Sequence, residues 1–292
     1  MMPGTRDMFL AAALLFAGPM VFAEGTTSWE SELRFGRVGE AQFQERSTKG
    51  DLDAIDLGAS HVLSVQARDG LLLRFGVEWE RYTCGRPDAL RVPERLQSAS
   101  LVIGADLQVG EAWIFRLDFQ PGFYSGGSDL RASDFNVPVT LGGSYFVSAD
   151  LQLVAGISVD LNRKYPVLPG VGFRWKFAED WVLDAILPTP RLEYSLTKSA
   201  LLYLGADFKG GTYRVDGNFG QSRGKPVLDG AVVDYTQIRV GVGVSWKVTS
   251  SMTFDLEVGC VPVHDFDFHR ADVGVKAEEI PIYGSVGFKA RY

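Results

Sequence analysis

The stretch IRVGVGVSWKVTSSMTFDLEV, residues 238–258, decides the fold. Ile238, Val240, Val242, Val244 and Trp246 fall on one parity, and Arg239, Gly241, Gly243, Ser245 and Lys247 on the other. After the polar break at 248–250, Met252, Phe254, Leu256 and Val258 alternate with Thr253, Asp255, Glu257 and Gly259. A period of two is that of a β-strand, whose successive side chains leave opposite faces. The stretch therefore reads as a hairpin with one greasy face and one charged face.

The same pattern runs outward in both directions. Trp113, Phe115, Leu117 and Phe119 alternate with Ile114, Arg116, Asp118 and Gln120, and Val171, Phe173, Trp175 and Phe177 alternate with Gly172, Arg174 and Lys176. From Ser31 to Tyr292 no helical three-to-four spacing persists. Short connections at 68–70, 110–111, 148–150, 178–180, 197–199 and 248–250 interleave with long polar ones expected near 45–53, 83–95, 125–134, 216–230 and 269–279, with an intermediate turn at 162–166. Splitting residues 181–197 at Pro188 and Pro190 gives an even set of about fourteen strands and puts the tight turns at one end. Twelve is the alternative if that segment stays whole and another pair is miscounted.

Composition narrows the class. Among 292 residues, 46% are hydrophobic and 22% charged, with two cysteines, which excludes a disordered chain or a disulfide scaffold. A net charge of −7 argues against a nucleic-acid partner. After residue 22 no apolar run is long enough for a membrane-spanning helix. Residues 1–23 carry Arg6, an apolar run from Met8 to Ala17, Pro19 and Ala23, the layout of a secretory signal, so residues 24–292 are expected to form the exported domain.

An exported chain with an apolar/polar dyad repeat and alternating short and long connections matches what a transmembrane antiparallel up-and-down β-barrel requires. In hydrocarbon every backbone amide must be paired, so a spanning sheet has to close, with apolar residues outward and a polar lumen. Trp113, Trp175, Trp181 and Trp246 lie near short turns, where indoles suit the headgroup level. The chain ends VGFKARY, residues 286–292, an alternating strand with Phe288 and terminal Tyr292. This is similar to the C-terminal insertion signal of Gram-negative outer-membrane barrels, which implies the cell outer membrane and its lipid, and the barrel-assembly machinery as a partner. The competing architecture is an exported antiparallel sandwich or jelly roll, which would face its charges outward.

In the second half, LPTPRLEY (187–194), LGADFKGGTYRV (204–215), Tyr235 and Arg239 resemble an uncharacterised family of bacterial outer-membrane, porin-like β-barrels, classed as a domain of unknown function. The resemblance is clearest from Trp175 to Phe268. It implies the barrel and the outer membrane and carries no activity or catalytic residues.

With greasy faces toward lipid, the lumen is expected to be lined by Arg74, Glu78, Glu80, Asp106, Arg116, Asp118, Arg174, Lys176, Asp207, Lys209, Arg239, Asp255, Glu257 and Lys289. Arg191, Lys247, Arg291, Asp184 and Glu193 share that phase. Desolvating such groups unpaired costs several kcal/mol each, so they pair across strands or meet water. The leading expectation is a narrow, weakly selective channel or transporter for a small solute, with no covalent chemistry, cofactor or metal. A structural or adhesive barrel with a charge-closed lumen is the second reading, its long loops, such as 86–95, meeting external partners. A hydrolase is the third: Asp265, Asp267 and His269 stand two apart, on the lumen phase unless Pro262 shifts it, with His269 as base toward water. His61 falls on the lipid phase, for which a bulge or a slip toward the pore is expected. Cys84 and Cys260 are expected on non-adjacent strands, which argues against a disulfide. Gly210 and Gly211 lack the Lys-Ser/Thr pair of a phosphate loop and mark a strand kink.

Overall fold

A computed structural model describes residues 27–85, 90–128 and 130–292. The expected leader, residues 1–23, lies outside the described residues. The strand segments are β1 (Thr27–Glu45), β2 (Thr48–Arg68), β3 (Leu71–Cys84), β4 (Arg95–Val109), β5 (Trp113–Phe119), β6 (Gly122–Ser125), β7 (Phe135–Asn136), β8 (Val139–Phe146) and β9 (Leu151–Val159). They continue with β10 (Val167–Lys176), β11 (Trp181–Asp184), β12 (Arg191–Ser195), β13 (Ala200–Arg214), β14 (Val232–Lys247), β15 (Met252–Phe268), β16 (Val273–Ala277) and β17 (Ile282–Arg291).

Three pairs of segments are each one interrupted strand. β5 and β6 share β4 as partner, β16 and β17 share β1 and β15, and β7 continues β8 along the edge that β5 and β6 present. Each interruption ends in a proline, Pro121, Pro138 or Pro281, which has no N–H to give the ladder. The result is a closed antiparallel barrel of fourteen strands. Residues 181–197 do form two strands, the hairpin β11–β12, so the count of twelve does not arise. Closure comes from β1 pairing with β17, where the Trp29 amide donates to the Tyr292 carbonyl at 2.6 Å and the Tyr292 amide donates to the Trp29 carbonyl at 3.0 Å.

Two expected long loops are absent. Residues 45–53 hold a tight turn at Arg46 and Ser47, with Ala41–Glu45 pairing against Thr48–Leu52. Residues 269–279 are a short turn followed by β16. In both places polarity marks paired strand ends beyond the exposed apolar belt rather than loops.

The faces are inverted relative to a soluble sandwich. Leu33, Phe35, Phe75, Val77, Leu101, Phe115, Leu141, Val171, Val242 and Leu256 are exposed on the outside, and Trp113, Trp175, Trp181 and Trp246 ring the short-turn rim. Asp106, Arg116, Asp118 and Arg239 are buried inside.

The wall is uneven. At the long-loop end β13 leans over the ends of β7 to β12 and meets β6, where Arg214 pairs with Ser125 in parallel and the Gly126 amide donates to the Arg214 carbonyl at 2.8 Å. This end is thus closed by β1–β4, β6 and β13–β16 alone, and the narrower ring is filled with side chains.

Candidate functional site

The interior has two storeys. The lower one, toward the short turns, is charged. Alternation on β3, β4 and β5 aims Arg74, Asp106, Arg116 and Asp118 at one another. Arg74 Nε stands 3.1 Å from Asp106 Oδ2 and its Nη2 2.6 Å from Asp118 Oδ1, while Arg116 Nε is 2.6 Å from Asp106 Oδ1. Asp106 has no exposed surface, so two guanidiniums and two carboxylates offset one another in a desolvated quartet.

Other members are wetter. Arg174 bridges Asp184 at 2.6 Å and Glu193 at 3.1 Å. Lys209 reaches Asp56 at 3.0 Å and Asp207 at 3.8 Å, and Arg239 reaches the same Asp56 at 2.7 Å. Glu257 accepts from the Tyr203 hydroxyl at 2.7 Å and from that of Tyr283. Lys289 lies 3.4 Å from Glu32, and Arg34 donates to Glu80 at 2.8 Å with Glu78 at 3.9 Å. Strand register puts Lys176 and Asp255 on the same inner face. Arg34, Asp56, Tyr203 and Tyr283 were outside the sequence-derived set. The alternation Leu33, Arg34, Phe35 is the signal that places Arg34 inside.

The upper storey is dry, which the sequence reading did not anticipate. Val38, Phe43, Tyr82, Leu96, Tyr213, Tyr235, Phe266, Phe268 and Val275 point inward from the strands, and Leu90, Val92, Phe219 and Leu228 join them from the 85–94 and 215–231 connections. Tyr82 and His264 share a hydrogen bond of 2.7 Å within this stopper. Among the described residues, the long-loop end of the interior is packed with these side chains.

Several expected positions fall elsewhere. Val261 and Pro262 stand opposite the single residue Arg239, a bulge that flips the phase of β15 from Val263 onward. Asp265 and Asp267 therefore face outward, not into the lumen, and His264 and Phe266 take the inner face. Asp267 pairs with Lys164 Nζ at 2.9 Å, and His269 Nδ1 sits 3.1 Å from Asp234 Oδ2, also on the outer face. Burial, and then the charge of Arg270, hold the His269 imidazole below its ordinary pKa. His61 involves neither bulge nor slip: it pairs in register with Ser31, faces outward, lies 2.8 Å from Ser31 Oγ and stacks on Trp29. Cys84 and Cys260 are free, the first buried inside and the second on the outer face.

A seam opens where the wall is lowest. Beyond Phe173, β10 has no strand partner on its far edge, the Phe173 carbonyl accepting from Ala185 at 2.8 Å. On the other side, beyond Gly205, the amides of Ala206 and Phe208 donate to the carbonyls of Pro190 and Pro188, both at 2.9 Å. Higher still, Thr212 Oγ1 donates to Asp160 at 2.6 Å and Asn136 Nδ2 donates to the same carboxylate at 2.9 Å, tying the two sides together.

No curated protein matches the sequence. Among solved structures, the COG4313 outer-membrane channel from Pseudomonas putida F1 matches at 11% identity over 93% of this chain and 97% of that one, with a TM-score of 0.50. A mutant of the TodX monoaromatic hydrocarbon channel matches at 10% identity over 92% and 91%, TM-score 0.49, and the KdgM porin at 13% over 89% and 98%, TM-score 0.36. These likenesses concern the fold. A family model, the domain of unknown function DUF6268, matches residues 85–281, from the connection before β4 to the last residue before β17, and the chain belongs to that family.

Proposed function

We propose that this protein is an outer-membrane channel that passes a small solute without covalent chemistry. The observation that carries the reading is a wet, charged lower interior inside a closed wall: the side chains of Arg34 and Glu80 keep 41% and 44% of their surface accessible although both point inward. Lys289, Arg191 and Asp207 are partly accessible in the same space. Water standing beside opposite charges suits a weakly selective conduit, since no single sign dominates the path.

The exposed apolar belt and the indole rim support placement in a lipid bilayer, and β17, with Phe288 and Tyr292, supports recognition by the barrel-assembly machinery after removal of residues 1–23. A hydrolase based on Asp267 and His269 is less well supported, because both lie outside the barrel and Asp267 is engaged by Lys164. The purely structural reading draws on the sealed quartet around Asp106, which occupies one wall only. Planar-bilayer recording of residues 24–292 tests the channel: discrete conductance steps are expected, and a membrane that stays sealed at high voltage rejects it.

A further inference from the structure

β11 has four residues and β12 five. At about 3.3 Å per residue and a tilt near 40°, they rise roughly 10 to 13 Å, about half of an apolar band of about 25 Å. In this sector the wall stops near mid-membrane. Above it, the edges of β10 at 167–171 and of β13 at 209–213 face each other with no strand between them among the described residues.

An unpaired strand edge at membrane depth is costly, because lipid cannot satisfy its amides. Three prolines surround this opening. The amide of Lys176 donates toward β9, to Asp150 at 2.8 Å, so the odd-numbered amides of β10 point into the seam. Pro169 occupies one such position and has no N–H to leave unpaired. Pro188 and Pro190 on the far side likewise offer only carbonyls. Proline at an edge lowers the number of donors that an unpaired strand leaves without partners, on β10 from three to two, since Val167 and Val171 keep theirs.

An apolar contact separates the seam from the lumen. Ile186, at the tip of the β11–β12 hairpin, turns inward and packs on Val154 of β9, forming an apolar threshold. Polar contacts hold the cover: Thr212 and Asn136 on Asp160, the Lys164 amide on Asp234 at 3.0 Å, and Lys164 Nζ on Asp267. Meanwhile the axial exit is packed with side chains.

We infer that the seam between β10 and β13 is a side door through which a small uncharged apolar molecule passes between the outer leaflet and the lumen. This rests on the channel reading above, and the experiment separates the two. In a Cys84→Ala, Cys260→Ala background, Asp160→Cys and Thr212→Cys are introduced to lock the cover by oxidation. Intact cells carrying this protein are tested for uptake of the uncharged dye N-phenylnaphthylamine, and the purified protein for ion conductance in planar bilayers. Oxidation is expected to lower dye uptake to the level of cells without the protein, reduction to restore it, and conductance to stay unchanged. Equal uptake in the locked and reduced forms, with conductance intact, overturns the side door and leaves the channel standing. Absence of conductance in every form overturns the channel reading itself. If the locked protein does not fold, Asp160→Ala serves: removing the shared carboxylate is expected to raise dye uptake, and unchanged uptake overturns the proposal.

Discussion

Arg239 on β14 reaches across the interior to Asp56 on β2, its Nη2 2.7 Å from Oδ2, with β15, β17 and β1 lying between the two strands in the wall. Lys209 holds the other oxygen of the same carboxylate at 3.0 Å. One acid therefore ties two bases, and its loss should cost most. Asp56→Asn leaves two cations facing each other and is expected to destabilise the barrel by about 3–5 kcal/mol, whereas Arg239→Met, which leaves Asp56 paired with Lys209, costs less. The double variant should cost less than the sum. Urea titration of the refolded protein checks the order, and a larger loss for Arg239→Met contradicts it.

Gly104 lies under the desolvated quartet. A methyl group there would meet Asp118 Oδ1 and Arg74 Nη2, both held by their ion pairs. Gly104→Ala is expected to destabilise by about 1–3 kcal/mol, the range for forcing extra volume into a packed interior. The midpoint of the electrophoretic shift on heating reads this directly, and an unshifted midpoint removes the argument.

How much of this was legible beforehand depends on what a period of two can carry. It fixed which residues of β14, such as Val242 and Arg239, face out or in, because parity is local. It could not give height, so Tyr235 is not marked as part of a stopper although its parity is that of the lumen, while Phe43 and Phe266 carry the outward parity of Phe35 and Val258 and turn inward only through the bulges between Val38 and Ala41 and at Val261 and Pro262. Parity also fails at an inserted residue: the bulge at Val261 and Pro262 moved Asp267 to the outside and brought His264 in. The turn at Arg46 was hidden because Asp51 and Asp53 lie on strands above the apolar band, where polarity no longer signals a loop. The bond from Arg239 to Asp56 crosses the barrel, and nothing in either strand's own pattern announces its partner.

The stopper yields a prediction of its own. Phe266 is fully buried against Phe43, Tyr82 and Tyr235. Phe266→Ala is expected to cost about 3–5 kcal/mol through lost contacts and the cavity left behind. It should also raise single-channel conductance, since that cavity lies on the axial path. A variant with lower stability but unchanged conductance would place the conducting path away from the stopper.

His269 supplies the pH dependence. Its folded pKa lies below the ordinary histidine value, so the unfolded chain binds more protons in the interval between the two. Its contribution is complete above the unfolded value, near 6.5, and is lost as pH falls through the folded value. Asp234, Asp267, Lys164 and Arg270 surround it. His269→Gln should therefore flatten the fall of stability with acidification below about pH 6.5. Urea midpoints from pH 7.5 down to 4.5 check this, and parallel curves for the two proteins exclude His269 as the source.

The outward pair of Ser31 and His61 is polar surface on a wall whose neighbours are Leu33, Leu63 and Val77. Each satisfies the other, 2.8 Å apart, with Trp29 stacked 4.7 Å from the imidazole. Removing one partner should expose the other to an environment that cannot replace the bond, whereas replacing both by apolar groups removes the need for it. Ser31→Ala is accordingly expected to destabilise by about 1–3 kcal/mol, and Ser31→Ala with His61→Leu to be neutral or stabilising. The comparison is made by urea titration in lipid vesicles, where the outer face meets acyl chains. If the double variant is the least stable of the three proteins, these residues are not serving each other, and the outer face at this height meets something other than hydrocarbon.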